Sequence, residues 1–205
     1  ISCISMGLEM RIIDEIMSNK ANKGSFRIIS GEYKGRKFEF MPSLDLRPTP
    51  DRLRETLFNW LGQSIDGKTC LDLFAGTGSL GLESLSRGAD KIIFVEKNSN
   101  HLDKIKGYIE SLKANGDISV IHDDVLTWLD ETNDNFDLIF VDPPFHKDLA
   151  KKVLSKIRTN SLLANLGNVY LEVEKELDLS FLNGYWEVIK ETKSGKKKYL
   201  LLKAK

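Results

Sequence analysis

Apolar positions along this chain follow two periods, and the pattern changes near residue 68. Before it, two short strand-like runs in FRIISGEYKGRKFEF (residues 26–40) flank a turn bounded by Gly31 and Gly35 and predict a β-hairpin. Leu53, Leu57, Trp60 and Leu61 then recur at helical spacing up to Gly62. Thr49 is the candidate cap of that helix, and Pro50 suits its first position. Upstream, residues 1 to 24 carry Met10, Ile13 and Met17 at roughly helical spacing and end in a polar run, so disorder or a marginal helix is expected. Met6, Met10 and Met17 are each possible translation starts.

After residue 68, strand and helix patterns alternate. Strand-like runs lie at 69–74, 91–96, 117–122 and 136–142, and helical patterns at 79–87, 99–114, 124–131 and 147–158. Three more strand-like runs follow at 168–174, 186–192 and 198–203. Alternation of this kind predicts an α/β fold with a mainly parallel, seven-stranded sheet covered by helices on both faces. The last two runs are joined only by a short glycine-containing stretch, too short for a crossover helix, and should form an antiparallel hairpin at one edge. The chain thus divides into an extension (1–24), a hairpin-and-helix unit (25–62) and an α/β domain (63–205).

A chain of 205 residues, 41% hydrophobic and 29% charged, can bury one sizeable core. No run approaches about 18 uncharged apolar residues, and the order of segments in a secretory signal is missing, so a cytoplasmic protein without membrane contact is expected. The two cysteines, Cys3 and Cys70, lack metal-ligand spacing. No metal site is expected, and Cys70 reads as core. Charge is uneven although the net is zero. Residues 22–60 hold 8 Lys+Arg against 5 Asp+Glu, residues 190–205 hold 7 against 1, and the stretch between holds 13 against 21. Basic ends around an acidic middle fit a polyanion bound by the ends, although a lysine-rich tail such as KSGKKKY is equally a solvated face.

The first strand of the α/β domain runs into DLFAGTGSLGLE. Gly76, Gly78 and Gly81 satisfy G-x-G-x-x-G, and Glu96 lies 20 residues past Gly76, at the end of the next strand. That is the dinucleotide fingerprint, and by that rule alone the ligand would be NAD. Asp72 argues otherwise: a carboxylate at the mouth of the loop repels a pyrophosphate but pairs with an ammonium. S-adenosylmethionine (SAM) offers an amino-acid end for Asp72 and the glycines and ribose hydroxyls for Glu96, with no phosphate. Phe74 and Lys97, close to those two acids, and Asp142 are further candidate cofactor-binding residues. Without a ligand, the same glycines would merely tighten a strand-to-helix turn. After the third strand, Asp124 is placed to accept from an adenine amino group and Val125 to donate its amide, while Asp123 could equally be a helix cap.

The fourth strand ends in Asp142, Pro143, Pro144 and Phe145. Prolines cannot continue a central strand, so a stiff loop follows its carboxyl end. A base's exocyclic amine is a poor nucleophile because its lone pair is delocalised into the ring. The Asp142 carboxylate and the Pro143 carbonyl can accept its two N–H groups and stabilise charge that grows as it attacks a methyl group. Phe145 can stack on the base. The three histidines lack a shared spacing and receive no role; His146 follows Phe145 and is expected at the solvent.

DLFAGTG, the acidic Glu96 and DPPF together resemble the Rossmann-like SAM-dependent methyltransferases that act on exocyclic amino nitrogens. More narrowly, FRIISGEYKGRKF with LRPTPDRLRETLFNWL, then CLDLFAGTGSLGLESLSRGA and FVDPPF, resembles the RsmD family of 16S ribosomal RNA guanine-N2 methyltransferases, from about residue 25 to the C-terminus. The resemblance implies SAM as methyl donor, S-adenosylhomocysteine as product, and 16S RNA or the small ribosomal subunit as substrate. A monomer with no obligate protein partner is expected. Arg47, Pro48 and Thr49, with Arg52 and Glu55, match the family's N-terminal segment, and Asp142 to Phe145 its catalytic loop. Pro50 stands where a small polar residue is common and reads as a helix start. Arg27, Lys34, Arg36, Arg47, Thr49 and Arg52 are the candidate RNA-contacting residues. Two other readings remain: an amino-methyltransferase acting on adenine N6 of DNA or RNA, and a SAM- or RNA-binding assembly factor without turnover.

Overall fold

The structure, a computed structural model, describes residues 23–42, 46, 48–62, 65–145 and 148–205. The extension through residue 22, Arg47 and His146 lie outside the described residues. The predicted hairpin is β1 (Gly24–Arg27) paired antiparallel with β2 (Lys37–Phe40), Phe26 opposite Phe38. Helix α1 follows (Asp51–Trp60). Its cap differs from expectation. Pro50 occupies the cap position with no side-chain hydrogen bond, and the Thr49 hydroxyl instead donates to Glu172 at 2.5 Å, because a buried carboxylate is the stronger acceptor.

Seven strands form the main sheet: β3 (Thr69–Asp72), β4 (Lys91–Glu96), β5 (Asp117–His122), β6 (Phe136–Val141), β7 (Leu163–Glu174), β8 (Trp186–Ser194) and β9 (Lys197–Ala204). Their spatial order is β5-β4-β3-β6-β7-β9-β8. The first five in that order pair in parallel, whereas β9 runs antiparallel to both β7 and β8; the predicted hairpin lies at one edge, with β8 outermost. Strand β7 starts at Leu163, five residues before the expected 168, with an irregular register opposite Phe136 and Leu138. Helices α2 (Ser79–Ser86), α3 (Ser99–Leu112), α4 (Val125–Glu131) and α5 (Leu149–Thr159) supply the crossovers.

The central strands are apolar at nearly every position because both faces are covered. Ile92, Phe94, Leu138 and Phe140 face α2, α3 and the N-terminal unit, while Ile93, Val95, Ile139 and Val141 face α4 and α5. The N-terminal unit shares the first of these cores. Phe38 stacks against Tyr108 of α3 at 4.6 Å, and Phe58 of α1 lies 6.5 Å from Phe140. The join is polar at its centre. Glu83 on α2, fully buried, accepts the backbone N–H groups of Ile29 (2.8 Å) and Ser30 (3.1 Å) and pairs with Arg54 (3.4 Å) and Arg87 (2.8 Å). Arg54 is thus a structural cation rather than part of a basic surface. Cys70 is core as expected, and burial pushes its thiol up to about 12. Among the described residues no helix is long and apolar enough to cross a membrane.

Candidate active site

Sheet order and register build the site. The chain moves outward from β3 to β4 and β5, then returns to place β6 on the other side of β3, and ligands of open α/β sheets bind at such a reversal, beyond the strands' carboxyl ends. Asp72 is in register with Phe94 on β4 and with Phe140 on β6. Glu96 and Asp142, each two residues further on, therefore flank the glycine loop from neighbouring strands about 5 Å to either side. Phe140 is in turn opposite Tyr170, which brings Glu172 on β7 level with Asp142.

The glycine loop is held from the β4 side. The Ala75 N–H donates to the Val95 carbonyl (3.1 Å), and the Gly76 N–H to Glu96 Oε2 (2.8 Å). Gly78 enters α2 at φ 73°, a left-handed conformation that a side chain would strain. Gly81 answers a different need: a Cβ there would lie 2.1 Å from the Phe94 ring, so helix and sheet could not approach so closely. Asp72 is buried and accepts the Gly81 N–H at 3.1 Å. Burial, with the Glu96 and Glu172 charges, pushes it up to about 7, against the pull of the Gly81 N–H.

A buried carboxylate in that state gains from a cationic partner, and acids (Asp72, Glu96) rather than bases line the loop. The residues present therefore fit the ammonium and ribose hydroxyls of SAM better than a pyrophosphate. In the protein alone the raised Asp72 carries a sign. Its contribution to stability is present below the unfolded value near 4 and is lost as pH rises through about 7. We expect Asp72→Asn, which keeps an acceptor for Gly81, to be stabilising by roughly 4 kcal/mol at pH 8 and by only about 1.5 kcal/mol at pH 5, since about 1.4 kcal/mol accrues per pH unit between the unfolded and folded values. Thermal melts at the two pH values check this, and an equal effect at both would contradict it.

The structure gathers some of the predicted residues and separates others. Asp124, not Asp123, caps α4: its Oδ1 accepts the Leu126 N–H (3.0 Å), while Asp123 accepts the Asp124 N–H (2.6 Å). The other Asp124 oxygen pairs with Lys97 (3.2 Å), which, chiefly through that hydrogen bond, holds the carboxyl below its usual range. Val125, the first residue of α4, is buried. Phe74 packs against the α4 and α5 core. Arg27 reaches Asp51 (3.1 Å) at the start of α1, beside exposed Arg52 and buried Thr49, on the Asp142 side of the sheet. Lys34 and Arg36 do not join them. Their turn meets the carboxyl ends of α2 and α3, which lead into the amino ends of β4 and β5, and there the Glu32 N–H donates to the Ser86 carbonyl and Arg36 to the Ser111 carbonyl (both 2.7 Å).

Sequence reasoning missed the surroundings of Asp142. Lys197 on β9 donates to both its carboxylate oxygens (2.8 and 3.1 Å) and to Glu172 Oε2 (2.9 Å). Glu172, fully buried, accepts the Thr49 and Tyr170 hydroxyls on Oε1 (2.5 and 3.2 Å). Pro143 is buried, Pro144 is exposed and Phe145 half-buried, so the loop presents its far end to solvent. A cavity of about 280 Å³ between α5 and β8, lined by Lys151, Arg158, Tyr185 and Trp186 among others, contains none of the predicted residues. Among the described residues no His, Cys, Asp and Glu cluster could hold a metal ion.

Comparison with known proteins agrees with this geometry. The family model described as Conserved hypothetical protein 95 matches residues 26–203. Ribosomal RNA small subunit methyltransferase D from Haemophilus influenzae is 40% identical over 182 residues, covering 87% of this chain and 94% of that one. The protein of the same name from Escherichia coli is 37% identical over 183 residues, covering 89% and 92%. The solved structure of yhhF from Escherichia coli superposes with a TM-score of 0.77 at 36% identity, covering 87% of this chain and 97% of that one. With a paired acid row and DPPF loop at the sheet reversal, and relatives matched over nearly their whole length, the chain belongs to the Conserved hypothetical protein 95 family, that of ribosomal RNA small subunit methyltransferase D.

Proposed function

We propose that this protein transfers a methyl group from SAM to the exocyclic N2 of a guanine in 16S ribosomal RNA, acting as a cytoplasmic monomer on the RNA or the small subunit. The observation that carries the reading is the position of Asp142, two residues beyond the β6 register partner of Asp72, at the sheet reversal and beside the glycine loop. The family's relatives named for small-subunit ribosomal RNA supply the substrate class.

SAM supplies the electrophilic methyl group on its sulfonium. Asp72 and the glycine loop hold the cofactor's amino-acid end, Glu96 its ribose, and Asp124 with the Val125 amide its adenine; Phe74 and Lys97 border this cleft. Asp142 and the Pro143 carbonyl accept the two N–H groups of the guanine amine and favour the tetrahedral nitrogen that attacks. Pro143 and Pro144 keep the acceptor fixed without offering a competing donor. Phe145 stacks on the base, which has left its helix or is unpaired. Placing both reactants in one cleft removes much of the entropic barrier. The 25–62 unit, through Arg27 and Arg52 around the start of α1 and through Arg47, holds the RNA backbone, with Lys34 and Arg36 reaching a more distant part of it; the α/β domain from 63 onward carries the chemistry. The Thr49 hydroxyl is committed to Glu172 and supports the site from within.

Incubating the purified protein with SAM and either 16S RNA or small subunits, then resolving digested nucleosides by mass spectrometry, tests the reading. N2-methylguanosine at one position is the expected product. Methyladenosine instead, or SAM binding with no transfer to either substrate, would reject it.

A further inference from the structure

Three lysines, Lys196 to Lys198, surround the start of β9, and the middle one leaves the solvent to enter the site. Its three N–H donors face three carboxylate oxygens, two on Asp142 and one on Glu172, all within 3.1 Å. The same ammonium lies 5.5 Å from the centre of the Phe145 ring. One cation therefore touches the first and last residues of the Asp142–Phe145 loop, whose middle residues are stiff prolines. With its hydrogen bonds taken, Lys197 has none left for an RNA phosphate, unlike an ordinary lysine of a basic tail. Behind it, Glu172 is anchored by hydroxyls from Tyr170 on β7 and from Thr49, which enters from the N-terminal unit.

We propose that Lys197 is the positioning residue of the catalytic loop, fixing the direction of the Asp142 carboxyl and holding Phe145 in place for stacking. This rests on the reading of Asp142 as acceptor of the amine. The charged and titratable groups around Asp142 are Glu172 and Tyr170 from β7 and Lys197 and Tyr199 from β9. Burial first, and the Glu172 charge second, push Asp142 up, and the Lys197 ammonium opposes that rise. Burial would lower Lys197, but the two carboxylates reverse this and raise it. Both tyrosines are raised by burial, Tyr199 to about 12, and stay neutral across the working range. Lys197 and Glu172 therefore pull the ionisation of Asp142 in opposite directions.

The test is the pH profile of methyl transfer to small subunits, with the Asp142 carboxyl titrated in parallel by carbon-13 NMR in the free protein. Lys197→Met should lower kcat by up to about a hundredfold, as expected for a misplaced reacting group, with SAM affinity retained. Its acidic limb should move to higher pH by about one unit or more, because the opposite charge has gone. Glu172→Gln should move the limb to lower pH, and Lys197→Arg should return it toward wild type. A purely structural lysine would weaken the enzyme without moving the limb in opposite directions in these variants. If Asp142→Ala abolishes transfer while Lys197→Met leaves both the profile and the NMR titration unchanged, the proposal is overturned and the functional reading stands. If Asp142→Ala transfers methyl groups as well as wild type, both fall.

Discussion

Replacing Asp142 with alanine should lower methyl transfer to 16S RNA by about 10²- to 10³-fold, the loss usual when one preorganised acceptor or donor is removed from a transition state. The cofactor should still bind, since Asp72, Glu96 and the glycine loop are untouched. The fold should survive as well. Lys197 would retain Glu172 at 2.9 Å, turning a cluster of two carboxylates and one ammonium into a neutral pair. Asp142→Asn separates shape from charge: it keeps one acceptor oxygen and should fall between wild type and alanine. Single-turnover transfer with saturating SAM, beside calorimetric titration of SAM, measures both quantities. Wild-type rates in the alanine variant would remove Asp142 from the mechanism.

The largest effect on stability should come from a residue remote from the chemistry. Glu83→Ala leaves the buried guanidinium of Arg54 and that of Arg87 without their shared carboxylate, and two backbone N–H groups of the N-terminal unit without an acceptor. Breaking a buried ion pair by removing one partner costs about 3–5 kcal/mol, a large part of the roughly 5–15 kcal/mol that holds a domain folded. Urea unfolding should show that loss, with the N-terminal hairpin exchanging its amide hydrogens first. Glu32→Ala, at an exposed position of the adjoining turn, should change stability by no more than about 0.5 kcal/mol. A loss below about 1 kcal/mol for Glu83→Ala would mean that hydrophobic packing alone joins the unit to the sheet.

What the sequence revealed and what it hid follow from the range of the interactions. Period and turn chemistry are local, so the alternation after residue 68, the hairpin about Gly31–Gly35 and the antiparallel C-terminal hairpin at one sheet edge could be read directly. The glycine loop and Asp142 were legible because their chemistry sits at strand ends, which are local features too. Lys197 was not. Within KSGKKKY it is indistinguishable from a solvated lysine, and only the insertion of β9 between β7 and β8 brings it to Asp142, 55 residues away. Glu172 did leave a trace. It is an acid at a core-facing position of an apolar strand, and such a charge requires a buried partner, although its identity could not be deduced. Thr49 misled in the opposite way, because its local role as a helix cap lost to a carboxylate 123 residues further along. Lys34 and Arg36 share the basic composition of their segment but not its location, since the turn beyond Arg27 carries them to the carboxyl ends of α2 and α3.

The ring of groups around Asp142 also has a kinetic meaning. Its members are contributed by the β6 end, by β7, by the final strand and by the approach to α1, so closing it joins two of the most widely separated parts of the described chain. Loop-closure entropy delays such contacts behind the neighbouring β3–β4 pairing, and proteins rich in them fold slowly. A molecule in which the early strands have already paired still lacks an anchored acceptor. Competence for chemistry thus requires this ring to be closed, and we expect partly folded forms that lack it to transfer no methyl groups.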